Sequence, residues 1–437
     1  GIRVVPEFDM PGHTTAWFVG HPELASGPGP YEIQRGWGVW RPTMDPTRES
    51  VYKFLAAFIG EMTTLFPDPY FHIGGDEVEG KQWTGNPAIT TFKTKNGMKT
   101  NEDLQAYFNR RIQAILQKRG RKMVGWDEIF HPDLPKDIVV QSWRGADSLA
   151  EGANKGYQGI LSAGYYLDHI RTAAFHYNVD PLGGKAAGLP DEAKARILGG
   201  EACMWAEYVT AETVDSRIWP RTTAFAERMW SPADVKDVAD LYRRMDIVSQ
   251  RLEFLGVRHR TQSRLMLQRV AGYRSLEALQ ILADTVEPLG IGGRSRAMKY
   301  TSVTPFNRFV DAVTTDNARV RQFAALVDGF LADPKRIANR DLLQSWLEEW
   351  KAQYDVLKPA FPESILLKEI EPVSKDLADV AAIGLFALRA LAEGVPYNPA
   401  PQIGVLDAAG KPKTEVVLAV VPAIRKLAEA TARAGMK

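Results

Sequence analysis

The sequence predicts an α/β fold, on three observations. Apolar runs of strand length recur up to Met204, helical periodicity fills most of the gaps between them, and a glycine pair closes one run tightly. The strand-like runs are residues 2–9, 70–74, 122–126, 138–143, 159–162 and 198–204. Helical runs fall at 50–65, 101–119, 146–155 and 217–230. Strands separated by helices pair in parallel, because a parallel partner needs a long crossover.

Taken in order, the first run, Gly1-Ile2-Arg3-Val4-Val5-Pro6-Glu7-Phe8-Asp9, begins directly on a strand. That start reads as a cut inside a longer polypeptide, with any targeting segment upstream. Tyr70-Phe71-His72-Ile73 reads as a buried strand, and Gly74-Gly75 lets the backbone turn at its end. Asn101-Glu102-Asp103-Leu104 looks like a helix start, with Asn101 as cap and acids in the first turn. Gly120, after Lys118-Arg119, fits that helix's end. Past Pro232 helical periodicity continues through 235–255, and after Arg258-His259-Arg260 strand signals nearly vanish. Leu342, Leu343, Trp346, Leu347 and Trp350 form an apolar stripe within 335–357, and 373–392 and 416–434 read as further helices. A chain of 437 residues exceeds one compact core, so we expect a domain at 1–260 and a largely helical region at 261–437.

Composition narrows the function classes. Hydrophobic content of 45% and charged content of 24% are those of a soluble globular protein. A net charge of +1 gives no case for a nucleic-acid partner or an anionic membrane. The single Cys203 rules out an internal disulfide and a cysteine-built metal site. No apolar run is long enough to span a membrane.

Chemistry concentrates at the carboxyl ends of the predicted strands. There stand Glu7-Phe8-Asp9-Met10-Pro11-Gly12-His13, Gly74-Gly75-Asp76-Glu77, Gly125-Trp126-Asp127-Glu128 and Gln141-Ser142-Trp143-Arg144. Tyr165-Tyr166-Leu167-Asp168 and Cys203-Met204-Trp205-Ala206-Glu207 follow the last two. In a β/α architecture those ends carry the active site. Asp76 and Glu77 are adjacent acids, and different surroundings can drive the pKa values of such a pair apart. Tryptophans stack on the apolar faces of a pyranose and acids grip its hydroxyls, so the pattern suits a sugar pocket.

These six ordered motifs resemble the β-N-acetylhexosaminidases of glycoside hydrolase family 20, over about residues 1–260. The resemblance implies a (β/α)8 TIM barrel followed by a mainly helical C-terminal region. The six strands would be the barrel's third to eighth. The first two, with an arginine that grips outer sugar hydroxyls and an aspartate that partners the histidine, would then come from an N-terminal segment of the same protein not present in this chain. It implies that Glu77 is the general acid and later the base. Asp76 orients the substrate's 2-acetamido group, and Tyr166 hydrogen-bonds its carbonyl oxygen. Trp126, Trp143 and Trp205 wall the pocket, Asp168 and Glu207 hold sugar hydroxyls, and His13, with Asp9, supports the acid from behind. No cofactor or metal is implied. The expected substrate is an N-acetylhexosamine-containing oligosaccharide or glycoconjugate, and the resemblance favours a periplasmic or extracellular location.

Physical logic agrees. Asp76 and Glu77 are too close in sequence to oppose each other easily across one sugar ring, whereas substrate assistance needs no protein nucleophile. Three other readings fit parts of the sequence. Gly74-Gly75-Asp76-Glu77 also resembles a diguanylate cyclase signature, but Val78 stands where that signature has an aromatic. A metal hydrolase finds no helical histidine pair, since His169 and His176 are wrongly spaced. The stronger alternative is a non-catalytic carbohydrate-binding protein that retains the pocket.

Overall fold

The computed structural model describes residues 1–394 and 397–434. They form two compact units, the first comprising Gly1–Tyr165, Val179–Cys203 and Tyr300–Val303. The second holds Tyr166–Asn178, Met204–Lys299 and the chain from Thr304 onward.

The first unit is built on a five-stranded parallel sheet whose strands lie in chain order: β1 (Tyr70–His72), β2 (Lys122–Trp126), β3 (Val139–Ser142), β4 (Gln158–Leu161) and β5 (Ile197–Gly200). Each strand neighbours the next in sequence, the common arrangement for strands joined by short β/α crossovers. Phe71 aligns with Met123, Val124 with Val139 and Val140 with Gly159, so the strand ends reach one edge together.

Residues 2–9 fall short of the full strand expected. They run beside β1 with one bridge, Glu7 to His72, and with hydrogen bonds from the His72 amide to the Pro6 carbonyl and from the Phe8 amide to the His72 carbonyl. Pro6 has no N–H, which limits the segment to an edge position. The run expected at 198–204 ends as a strand at Gly200, although the Glu201 amide still bonds the Leu161 carbonyl.

Two amphipathic helices cover this sheet. Helix Glu49–Leu65 buries Val51, Leu55 and Ile59, and helix Asn101–Gln117 buries Phe108, Ile112 and Leu116 against Phe71, Ile73 and Met123. Burying each large apolar side chain contributes about 1.5–3 kcal/mol before entropy is counted. The second helix is capped one residue earlier than expected. The Thr100 hydroxyl accepts the Asp103 amide at 3.1 Å and the Asp103 carboxylate accepts the Thr100 amide at 2.9 Å, a reciprocal box that Asn101 does not offer.

The second unit is mainly helical. Helix Ile337–Leu357 and helix Glu371–Glu393 share a core of Leu343, Trp346, Leu347, Trp350, Leu377 and Val380. Leu342, counted in the apolar stripe, is instead 41% exposed at the stripe's margin. The helix expected at 217–230 is two pieces, Val214–Ile218 and Thr222–Trp230, because Pro220 supplies no amide to continue the first. The helix expected at 416–434 opens as a strand. β6 (Val286–Pro288) pairs antiparallel with β7 (Val416–Leu418), and the helix itself runs Val421–Ala434. No helix among the described residues is long and apolar enough to cross a membrane.

Candidate active site

The backbone after β1 is shaped to present two acids. Gly74, Gly75 and Glu77 all have positive φ, at 66°, 94° and 50°. Glycine takes that conformation freely, but Glu77 does so at a cost of order 1–3 kcal/mol, a kind of strain that clusters at functional sites. Neighbours hold the turn in place. The Trp126 amide donates to the Gly74 carbonyl at 2.9 Å, the Gly75 amide to Asp9 Oδ1 at 2.9 Å, and Gln105 Nε2 to the Gly75 carbonyl at 2.6 Å. A Cβ on Gly74 would lie 1.9 Å from Asp9 Oδ1. Gly74→Ala is therefore expected to cost about 1–3 kcal/mol and to dislodge Asp9, seen as a lowered urea midpoint.

Asp9, His13, Asp76 and Glu77 converge here. His13 Nε2 stands 3.5 Å from Asp76 Oδ2 and 3.3 Å from Glu77 Oε2, so one imidazole faces both acids. The hydrogen bond to Asp76 and its charge hold the His13 imidazole up at about 9, against the burial that opposes it. Burial, together with the Asp76 charge, pushes the Asp9 carboxyl up to about 9. Burial also pushes Asp76 upward, but hydrogen bonds from His13 and Asp9 outweigh it and hold that carboxyl below its usual range. The result is a neutral Asp9, an anionic Asp76 and a cationic His13 near neutral pH. Asp9 and Asp76, neighbouring carboxyls, are thus driven apart in opposite directions. Donor atoms of Asp9, His13 and Asp76 lie within 4.8 Å of one another, close enough for a metal.

A pH dependence follows. His13 contributes stability that is complete below its unfolded value of 6.5 and lost as pH rises through about 9. Asp9 works in the same direction, since the folded state keeps a proton that the unfolded chain releases near pH 4. Asp76 does the reverse, losing its contribution on acidification. The melting temperature is expected to fall between about pH 6 and about pH 9, and His13→Asn to flatten that fall.

Carboxylates also set Trp126 and Trp143. The Trp126 indole N–H donates to Glu7 Oε1 at 2.9 Å, and its ring meets the His72 ring edge-on at 5.1 Å. Burial pushes the Glu7 carboxyl up to about 7 and His72 down to about 4. The Trp143 indole N–H donates to Glu128 Oε2 at 3.1 Å, while Glu128 Oε1 accepts Arg144 at 2.7 Å and the Glu77 amide at 3.3 Å. Asp127 accepts the Trp143 and Arg144 amides, each at 2.8 Å. Sequence reasoning assigned no role to Glu7, Gln105, Asp127 or Glu128. A signal existed for Glu7, which shares a strand face with Asp9 at two-residue spacing.

The other four expected residues, Tyr166, Asp168, Trp205 and Glu207, belong to the second unit. The Tyr166 ring stacks on His169 at 4.9 Å and lies 5.4 Å from the Trp205 ring. Burial pushes the Asp168 carboxyl up to about 6, against backbone hydrogen bonds and the charge of Arg221. Burial likewise raises Glu207, with the Asp168 charge adding to it. Arg221, 1% exposed, donates to the Leu167 and Arg171 carbonyls, each at 2.9 Å, and so clamps both sides of Asp168.

Parallel strands in chain order, with acids and tryptophans at their carboxyl ends, define the class: a (β/α)8-barrel glycoside hydrolase fold with a helical C-terminal region. The chain belongs to glycosyl hydrolase family 20, whose catalytic-domain model matches residues 1–233. It is similar to the β-hexosaminidase of Porphyromonas gingivalis, 36% identical over 276 residues, covering 59% of this chain and 35% of that protein. It is also similar to the human β-hexosaminidase subunit beta, 36% identical over 254 residues, covering 56% of this chain and 45% of that one. The chain thus spans about half or less of these relatives. A solved chitobiase from Flavobacterium johnsoniae superposes with a TM-score of 0.91 at 37% identity, over 98% of this chain and 66% of its own.

Proposed function

We propose that the protein is a retaining exo-β-N-acetylhexosaminidase that removes terminal N-acetylglucosamine or N-acetylgalactosamine by substrate-assisted catalysis. The observation that carries this reading is the geometry after β1, where His13 Nε2 stands 3.5 Å from Asp76 Oδ2 and 3.3 Å from Glu77 Oε2 and the turn presents both acids together. Family membership and similarity to β-hexosaminidases support the activity. Residues 1–260 would carry the catalytic barrel and 261–437 the helical region.

In the first step Glu77 gives its proton to the glycosidic oxygen as the C1–O bond breaks. The substrate's own acetamido carbonyl oxygen attacks C1 and forms an oxazolinium, so no protein nucleophile is needed. Asp76 accepts the acetamido N–H and balances the positive charge that develops there. Tyr166 donates to the acetamido oxygen and fixes it for attack, an orientational gain of the kind bound nucleophiles provide. In the second step Glu77 takes a proton from water, which attacks C1 and reopens the ring. Trp126, Trp143 and Trp205 would enclose the sugar and exclude bulk water, and Asp168 and Glu207 would accept its hydroxyls. Asp9 and His13 hold Asp76 in place.

The test is hydrolysis of an aryl N-acetyl-β-glucosaminide beside the matching aryl β-glucoside. Turnover of the first with none of the second is expected. Binding of N-acetylglucosamine without turnover would make the protein a lectin-like relative, and turnover of both would remove the acetamido group from the mechanism.

A further inference from the structure

In the second unit, a segment past residue 233, where the family match ends, packs on the turn that carries Asp168. A Cβ on Gly290 would lie 2.5 Å from the His169 carbonyl oxygen and 3.0 Å from its carbonyl carbon. The φ of Gly290 is −71°, open to any residue, so close approach and not backbone freedom accounts for the glycine. Arg294 anchors the segment. It is 2% exposed, with Nη2 2.8 Å from Asp311 and Nε 2.8 Å from Glu415, and its guanidinium lies 4.7 Å from the centre of the Tyr208 ring.

Leu289, Ile291 and Arg294 line one narrow recess together with Asp168, Trp205 and Glu207. The recess has a volume of about 20 Å³, room for one water molecule or one hydroxyl group. Two buried oxygens, Asp168 Oδ1 and Glu207 Oε2, have no hydrogen-bond partner among the described residues. Buried acceptors are normally paired, so these two point to a donor that arrives with a ligand.

We infer that Leu289–Arg294, from the helical region, is a positioning wall that holds Asp168 and Glu207 around a single hydroxyl of a pyranose. This rests on the hexosaminidase reading for the identity of the sugar. The two carboxylates share the hydroxyl's one proton between them, Leu289 and Ile291 keep competing water away, and Gly290 sets the depth of the recess. The helical region is then part of substrate recognition and not an appendage to the barrel.

The experiment compares Gly290→Ala and Ile291→Ala with the unaltered chain, on an aryl N-acetyl-β-glucosaminide and its 4-deoxy and 6-deoxy analogues. A pocket built to bind a hydroxyl rejects the analogue that lacks it, here by about 10²-fold or more for one of the two. Both variants are expected to raise KM and to shrink that preference about tenfold or more; Ile291→Ala should melt near the unaltered chain, and Gly290→Ala lower, because its Cβ meets backbone. An unchanged preference in both variants, with any KM rise shared equally by all three substrates, would overturn the wall. Should Gly290→Ala misfold, Ile291→Ala carries the comparison alone, since it leaves the backbone contact intact. Failure of the unaltered chain to cleave any of the three counts against the hexosaminidase reading. Calorimetric binding of N-acetylglucosamine and its deoxy analogues then decides the wall by the same preference.

Discussion

Glu77→Gln is expected to lower kcat on an oligosaccharide of N-acetylglucosamine by about 10²–10⁴-fold, the usual yield of a positioned general acid. The loss should be smaller on an aryl glycoside with an acidic leaving group, because a good leaving group needs less protonation. Glutamine keeps the shape of the side chain, and the strained Glu77 backbone is fixed from outside by the Glu128 contact to its amide. The melting temperature should therefore stay close to that of the unaltered chain. Steady-state rates on the two substrates, set beside a melting curve, check the prediction. Near-normal turnover of the oligosaccharide would remove Glu77 from the reaction.

Asp76→Asn is expected to lower kcat by about 10²–10³-fold, the scale for removing one preorganised electrostatic partner from a transition state. Asparagine can offer its amide N–H where an anion is needed, so the developing positive charge at the acetamido nitrogen loses its counter-charge. The substitution also disturbs His13, whose raised pKa comes first from its hydrogen bond to Asp76. The fall of stability between about pH 6 and about pH 9 should flatten in the same variant, because less of the His13 proton is held by folding. Kinetics and pH-dependent melting of one protein thus report on the two roles of a single carboxylate. A kinetic loss with an unaltered melting profile would mean that His13 draws its proton affinity from elsewhere.

Much of the site was legible in the sequence because it depends on position along strands. Apolar runs ending in glycine place Asp76 and Glu77 past β1, and Trp126, Trp143 and Trp205 stand at the ends of three of the six runs. What the sequence hid are relations between distant residues. Nothing local to Asp9 shows that its carboxylate will cap the Gly75 amide and keep a proton next to Asp76. Glu128 was visible as an acid beside Trp126, but its contacts are to Trp143, Arg144 and the Glu77 amide. Element boundaries failed for equally physical reasons. Thr100 out-competes Asn101 as a cap through Asp103, Pro220 splits a helix, and residues 416–418 pair with a strand some 130 residues earlier. Periodicity cannot foresee such a partner.

The hexosaminidase assignment depends on the substrate's acetamido group acting as the nucleophile beside Asp76 and Glu77. Fluorinating the acetyl methyl one atom at a time withdraws electrons from the attacking oxygen while barely changing its size. kcat/KM across the acetyl, monofluoro-, difluoro- and trifluoroacetyl aryl glycosides should fall steeply with each fluorine. A series of equal rates would mean that the acetamido oxygen does not attack, and that Asp76 and Glu77 work by another route.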